Sequence, residues 1–198
     1  YLEKPFSDID NEVLKRFARV FEQNYIRFLY LQNAETQARE AQIQLAMERV
    51  RAKTMAMRKS DELQDAARLL FQQVQSLGMP AWTAGYCTWE EDKKAVIAWM
   101  GLEGEENLPP FRAPLTEEAT FIHMREAWQR GESFFVDEIA GDACKKHYEY
   151  MRTLPVIGDI FEAVIDRGIS LPTYQINHIA YFTQGFLSFI TFEPVPRA

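Results

Sequence analysis

QINHIAYFTQGFLSFITF, residues 175–192, decides the fold class. Two runs rich in β-branched and aromatic residues, 175–182 and 186–192, flank a short polar turn over 183–185 that contains Gly185, the pattern of a β-hairpin. Working backwards, residues 82–89 and 95–100 repeat the pattern around the polar stretch 90–94 and read as a second hairpin. Residues 102–114, rich in Gly, Pro and Glu, read as a loop. Residues 116–130 read as an amphipathic helix capped by Thr116 and closed by Gly131, and 133–136 as a short strand. Two further helices are expected at 143–154 and 157–167, around Pro155 and Gly158. Strand pairs joined by tight turns, with helices between them, predict an α+β domain built on an antiparallel sheet.

The N-terminal third is different in kind. All nine glycines lie at Gly78 or beyond, and no proline falls between Pro5 and Pro80, so residues 6–77 contain neither breaker. Seventy-two residues rich in Ala, Gln, Glu, Arg, Leu and Met favour helix throughout and would span roughly 108 Å if unbroken. Leu14, Phe17, Phe21, Phe28 and Leu31 follow three- and four-residue steps, widened by Val13, Val20, Tyr25 and Leu29, so this part wants a large partner surface. Beyond Ala34 the apolar content thins to a narrow seam at Ile43, Ala46, Val50 and Met57, interrupted by Lys53. A long charged helix with a narrow seam is stabilised by a second copy of itself, so these four residues are the expected interface of a parallel homodimeric coiled coil. Ser60, followed by Asp61 and Glu62, is a candidate cap for a restarted helix that ends at Gly78.

The 198-residue chain carries 22 basic and 29 acidic side chains, a net charge of −7. The charge is unevenly placed: residues 1–59 hold 11 basic and 8 acidic groups, leaving 11 and 21 for residues 60–198. Nucleic-acid binding is disfavoured, since phosphate contacts need a concentrated basic surface. No apolar run approaches the ~18 residues that span a bilayer, the start lacks the pattern of a signal peptide, and two cysteines imply no disulfide framework. A cytoplasmic location is expected. The opening on Tyr1 and the stop soon after an apolar strand lead us to expect a repeat array cut at two equivalent places.

EAQIQLAMERVRAKTMAMRKSDEL, residues 40–63, closely resembles the helical segment that precedes a GAF-like regulatory domain in multi-domain sensor histidine kinases, especially those of Bacteroidetes. FARVFEQNYIRFLYLQNAETQAREA, residues 17–41, resembles the closing helix of one such domain running into the connector of the next. The resemblance implies three parts: a closing helix over 1–33, a connector coiled coil over 34–59, and a GAF-like domain over 60–198 without its C-terminal helix. It further implies a six-stranded antiparallel sheet with helices on both faces, dimerisation along the connectors, and a kinase region downstream of Ala198. The NKxnFxxxDE-like signature of cyclic-nucleotide-binding members is missing, and neither Cys87 nor Cys144 is followed by the histidine common in bilin-binding members. No cofactor is therefore assigned. None of His123, His147 and His178 sits in an H-E-x-R-T-P phosphoacceptor context, so the fragment is not expected to be an enzyme.

The remaining candidates come from geometry. Helical periodicity puts His123 opposite the Phe121, Met124 and Trp128 stripe, at the surface. It puts Cys144, His147 and Met151 on one face near Tyr148, while strand alternation puts His178 with Ile176, Ala180 and Phe182 on the apolar side. Cys144, His147 and His178 are thus candidates to line one small-molecule cavity, with Tyr86 and Trp99 as aromatic candidates; the alternative is that all are buried, hydrogen-bonded core groups. No phosphate-cradling, zinc-protease or paired C-x-x-C motif is present, and no metal site is assigned. The reading is a sensory relay module of a two-component kinase, with a small-molecule-binding enzyme and a structural dimerisation spacer as the alternatives.

Overall fold

The computed structural model describes residues 7–59, 62–102 and 108–193. Eleven elements follow in order: α1 Asp8–Ala56, α2 Glu62–Ser76, β1 Ala81–Trp89, β2 Ala95–Leu102, β3 Phe111–Pro114, α3 Ala119–Gln129, β4 Phe134–Ala140, α4 Gly141–Met151, α5 Ile157–Asp166, β5 Tyr174–Phe182 and β6 Gly185–Thr191. The α+β class is as expected, and the six strands form one antiparallel sheet in the order β3-β2-β1-β6-β5-β4. The expected cap Ser60 lies outside the described residues, but the break itself is present: α1 stops at Ala56 and α2 starts at Glu62.

Contacts divide the chain between Leu45 and Ala46, so that one helix crosses the expected boundary at 33/34 and ends inside the second unit. Among the described residues of the first unit, α1 is the one element. Phe17, Phe21 and Phe28 are 60%, 72% and 56% exposed. In the second unit the last turns of α1 run alongside α2. Arg49 donates to Gln73 Oε1 at 3.3 Å, and Lys53 Nζ lies 2.9 Å from Asp65 Oδ2, so the two segments are antiparallel neighbours. Ala46 is buried and, with Val50, faces Leu63, Ala66 and Leu70 of α2. The seam assigned to a second copy is thus partly taken up inside the chain: α2 offers the apolar stripe that Ala46 and Val50 want. Ile43 is half-buried, and Met57 lies past the helix end.

The sheet has helices on both faces. Phe71 and Val74 of α2 pack on Ala81 and Ala84 of β1. On the opposite face α3, α4 and α5 bury Phe121, Met124, Tyr148, Met151 and Phe161 against Val96, Ala98, Ile179 and Phe186. Each such large side chain contributes roughly 1.5–3 kcal/mol. Because α2 covers only the β1–β2 half of its face, Phe134, Val136 and Phe182 on β4 and β5 stay 55%, 47% and 39% exposed.

Three expectations change in detail. Residues 111–114, expected as loop, form β3, because Phe111 and Ala113 turn into the core while the chain pairs with β2. The cap of α3 is Glu118 rather than Thr116: its carboxylate accepts from the Thr120 and Phe121 N–H groups. The strand expected at 133–136 extends to Ala140 because it pairs with β5 from Tyr174 to Ala180.

One turn limits the hairpin that decided the fold. A Cβ added to Gly185 would lie 1.8 Å from the Cys87 carbonyl oxygen of β1, against backbone that has nowhere to move. We expect Gly185→Ala to cost more than about 3 kcal/mol, whereas Thr183→Ala in the same exposed turn stays within about 0.5 kcal/mol. Urea unfolding followed by circular dichroism measures both; equal effects would contradict this packing.

Candidate functional site

Alternation along the strands decides what can meet. Every second residue of β1 and β2, among them Cys87, Val96 and Ala98, joins the core under α3, α4 and α5. A register shift between Ala81 and Thr83 turns Trp82 to the same side as Thr83. Opposite these strands α4 buries Cys144, His147, Tyr148 and Met151, the face that helical spacing predicts. Between the layers lie two small cavities. One of about 70 Å³ is walled by Trp82, Met100, Phe111, Tyr148 and Phe161. The other, about 60 Å³, is walled by Cys87, Phe121, Met124, Asn177 and Phe186. His147, Met100, Phe111, Met151 and Ile190 border both. Met100 can lie between them because Gly85 has no Cβ; one built there would sit 2.9 Å from Met100 Sδ.

Two polar devices sit in this apolar interior. The first joins His147 to Glu118: Nδ1 is 3.0 Å from Oε2, and the two side chains are 5% and 10% exposed. Burial pushes the Glu118 carboxyl up. The His147 hydrogen bond and charge, with the Thr120 and Phe121 N–H groups, outweigh that and hold it below the ordinary 4.5. One carboxylate therefore caps α3 and ties it to α4. The second device is a chain in which Tyr148 Oη donates to Gln175 Oε1 at 2.5 Å, Gln175 Nε2 to Asn177 Oδ1 at 2.9 Å, and Asn177 Nδ2 to the Asp137 carbonyl at 3.4 Å. It fastens α4 to β5 and β4.

The expected site residues separate into two groups. His147 borders the cavities. Cys144 is fully buried one turn away, its Sγ donating to the Pro172 carbonyl at 3.4 Å. His178 is on the other face of the sheet: it pairs across from Phe189, which packs with α2, and its Nε2 lies 3.2 Å from Thr191 Oγ1. Burial lowers its pKa, so it stays neutral at physiological pH. Cys144, His147 and His178 therefore do not line one cavity. The apolar set Ile176, His178, Ala180 and Phe182 does share a face, but both faces of β5 are covered in part, and Gln175, Asn177 and Ile179 are the ones that face α4. Tyr86 and Trp99 are also on the α2 side, stacked at 5.4 Å and 14°, with Tyr86 Oη donating to the Leu63 carbonyl. His123 is at the surface as expected, 3.4 Å from Asp137.

Glu118, Gln175 and Asn177 are the functional groups that spacing missed. Acidic residues at 117 and 118, just before an amphipathic run, were a signal for a side-chain cap, whereas nothing in the sequence pairs Glu118 with a histidine 29 positions on. Burial also raises the pKa of Cys87 and Cys144, so neither thiol is an activated nucleophile. Among the described residues no three His, Cys, Asp or Glu side chains converge on a metal position, and no helix is long and apolar enough to cross a membrane. Comparison of the chain with known protein families, with curated proteins and with solved structures gives no match.

The Glu118 link has a pH signature. A carboxyl whose folded pKa is depressed contributes stability that is present above its unfolded value, near 4.5, and lost as pH falls through the folded one. Glu118→Gln keeps a capping acceptor but removes the charge, so it should cost about 1–3 kcal/mol at neutral pH. The gap in Tm between the two proteins should then narrow as the pH is lowered below about 4.5, where the unfolded carboxyl takes up a proton before the folded one does. A gap that stays constant as the pH falls through that value would contradict the stabilised Glu118 carboxylate.

Proposed function

We propose that the chain is a non-catalytic sensory relay module of the GAF-like kind, acting as a dimer in the cytoplasm and passing a conformational difference to a downstream histidine-kinase region. One observation carries the reading. The last turns of α1 are fastened to α2 by Arg49–Gln73 and Lys53–Asp65, and α2 lies on the same strands whose other face walls the cavities. A change in cavity occupancy that shifts β1 and β2 has a short path to the connector helix. The shift need only favour one of two helix positions, by as much as the ligand prefers one state over the other.

Assembly is supported by the first unit. Leu14, Phe17, Phe21, Phe28 and Leu31 fall on the a and d positions of a heptad, with the polar Asn24 at the one remaining d position. All five apolar side chains are half or more exposed within the chain, which a second copy would bury. The spacer alternative draws its support from the small size of each cavity and from the satisfied Tyr148–Gln175–Asn177 chain.

Light scattering tests the assembly. We expect a dimer at tens of micromolar, and a monomer for Phe21→Glu, which places a charge in the seam at a cost of several kcal/mol. A monomeric wild-type chain would overturn the relay reading.

A further inference from the structure

α1 carries two apolar seams that belong to different heptads. Leu14, Phe21 and Phe28 stand at a positions, and Phe17 and Leu31 at d positions. Continued along the unbroken helix, this count puts Ala38, Leu45 and Ala52 at d, and Gln42, Arg49 and Ala56 at a. The seam at Ile43, Ala46 and Val50 is one residue out of step with it, since four heptads beyond Leu14 is Gln42, not Ile43. One residue is about 100° round a helix, so the two counts describe different faces of the same turns.

One of these faces is already filled. Ala46 is buried, Val50 and Lys53 are half-buried, and α2 is what they meet, with Lys53 Nζ 2.9 Å from Asp65 Oδ2. Round the helix on one side of Ala46, Met47 and Thr54 border the groove toward Tyr86, Phe182 and Leu187 of the sheet. Round it on the other side stand Leu45, Ala52 and Ala56, all exposed, Leu45 by 54%. The face that continues the heptad of Phe17 and Phe21 is therefore open, and it points away from the sheet.

We infer that a second copy of the chain runs on past Leu31 along Ala38, Leu45 and Ala52, beside α2 and not in its place. The inference rests on the dimeric part of the relay reading. Handedness chooses the face. A seven-residue repeat drifts about 20° per heptad round a straight helix, roughly 80° over the four heptads from Leu14 to Gln42, and the left-handed supercoil follows that drift. A partner that starts on Phe17 and keeps to the heptad thus arrives at Leu45 and Ala52. A partner that ran straight would arrive at Ala46 and Val50, which α2 covers. Glu35, Gln42 and Arg49 at a make this stretch weaker than the aromatic start, because polar a positions cost stability. Arg49, which donates to Gln73 of α2, stands at the border of the two faces. α2 and the partner then grip the same turns of α1, so that a rotation of α1 about its own axis alters both contacts at once.

Single cysteines introduced into the whole chain and oxidised mildly test the face. Cys87 and Cys144 are buried and do not compete. In a parallel two-stranded coil the d positions of the two copies face each other, which brings thiols there within disulfide reach. We expect covalent dimers from Asn24→Cys, Leu45→Cys and Ala52→Cys, and none from Ile43→Cys or Val50→Cys. Leu45 and Ala52 are exposed, so their replacement leaves the fold intact. Dimers at 43 or 50, with or without links at 45 and 52, would mean that the partner has taken the place of α2. A link missing at 45 or 52 while 24 cross-links would mean that the helices part before the connector. Either result overturns the inference and leaves the dimer standing. No link at 24 would remove the dimeric reading, and the inference with it.

Discussion

Close pairing of β1 with both of its neighbours is the constraint on which the rest depends. β1 is central, bonded to β2 on one side and β6 on the other, and the contacts are so tight that neither Gly85 nor Gly185 has room for a Cβ. A strand held in this way cannot slip, because a one-residue shift would exchange its two faces. Cys87 and Thr83 would then turn toward α2, and Ala84 and Tyr86 into the cavity layer. Fixing β1 therefore fixes which side chains meet the connector and which meet α4.

The two faces are held by different physics. On the α2 side, packing of Phe71 and Val74 on small residues of β1 is supplemented at the rim by polar links such as Lys53–Asp65, whose side chains are 35% and 41% exposed. Partly exposed pairs of this kind contribute little on their own, ~0–1 kcal/mol. They orient the last turns of α1 more than they secure them. On the other side the buried Glu118–His147 pair and the Tyr148–Gln175–Asn177 chain are almost shielded from water, where leaving either partner unpaired would be costly. The cavity layer is thus held by buried polar links, and the α2 layer by apolar packing with partly exposed links at its rim.

The sequence carried the hairpins and the long helix because both have strong local periods: QINHIAYF and GFLSFITF alternate, and residues 6–77 hold no breaker. It carried the inward face of α4 for the same reason, since Cys144, His147 and Met151 follow helical spacing. The face of β5 was not legible. Ile176, His178, Ala180 and Phe182 form the more apolar set, yet a sheet covered on both sides rewards either set, and the buried Gln175 and Asn177 reach α4 only because Tyr148 and the Asp137 carbonyl satisfy them. β3 escaped notice as an edge strand of four residues between prolines. The pairing of Glu118 with His147 depends on two helices meeting in space, which no local pattern reports.

The central claim is that one sheet couples the connector on its α2 face to the cavities on its other face. Trp99 and Trp82 stand on these two faces, Trp99 stacked on Tyr86 beside the connector groove and Trp82 against Tyr148 in the cavity wall. Fluorine NMR of the 5-fluorotryptophan-labelled chain reads both at once. When the connector is released by replacing Arg49 and Lys53 with alanine, the account predicts that the Trp82 resonance moves together with that of Trp99. A change confined to Trp99, with Trp82 unmoved, would contradict it.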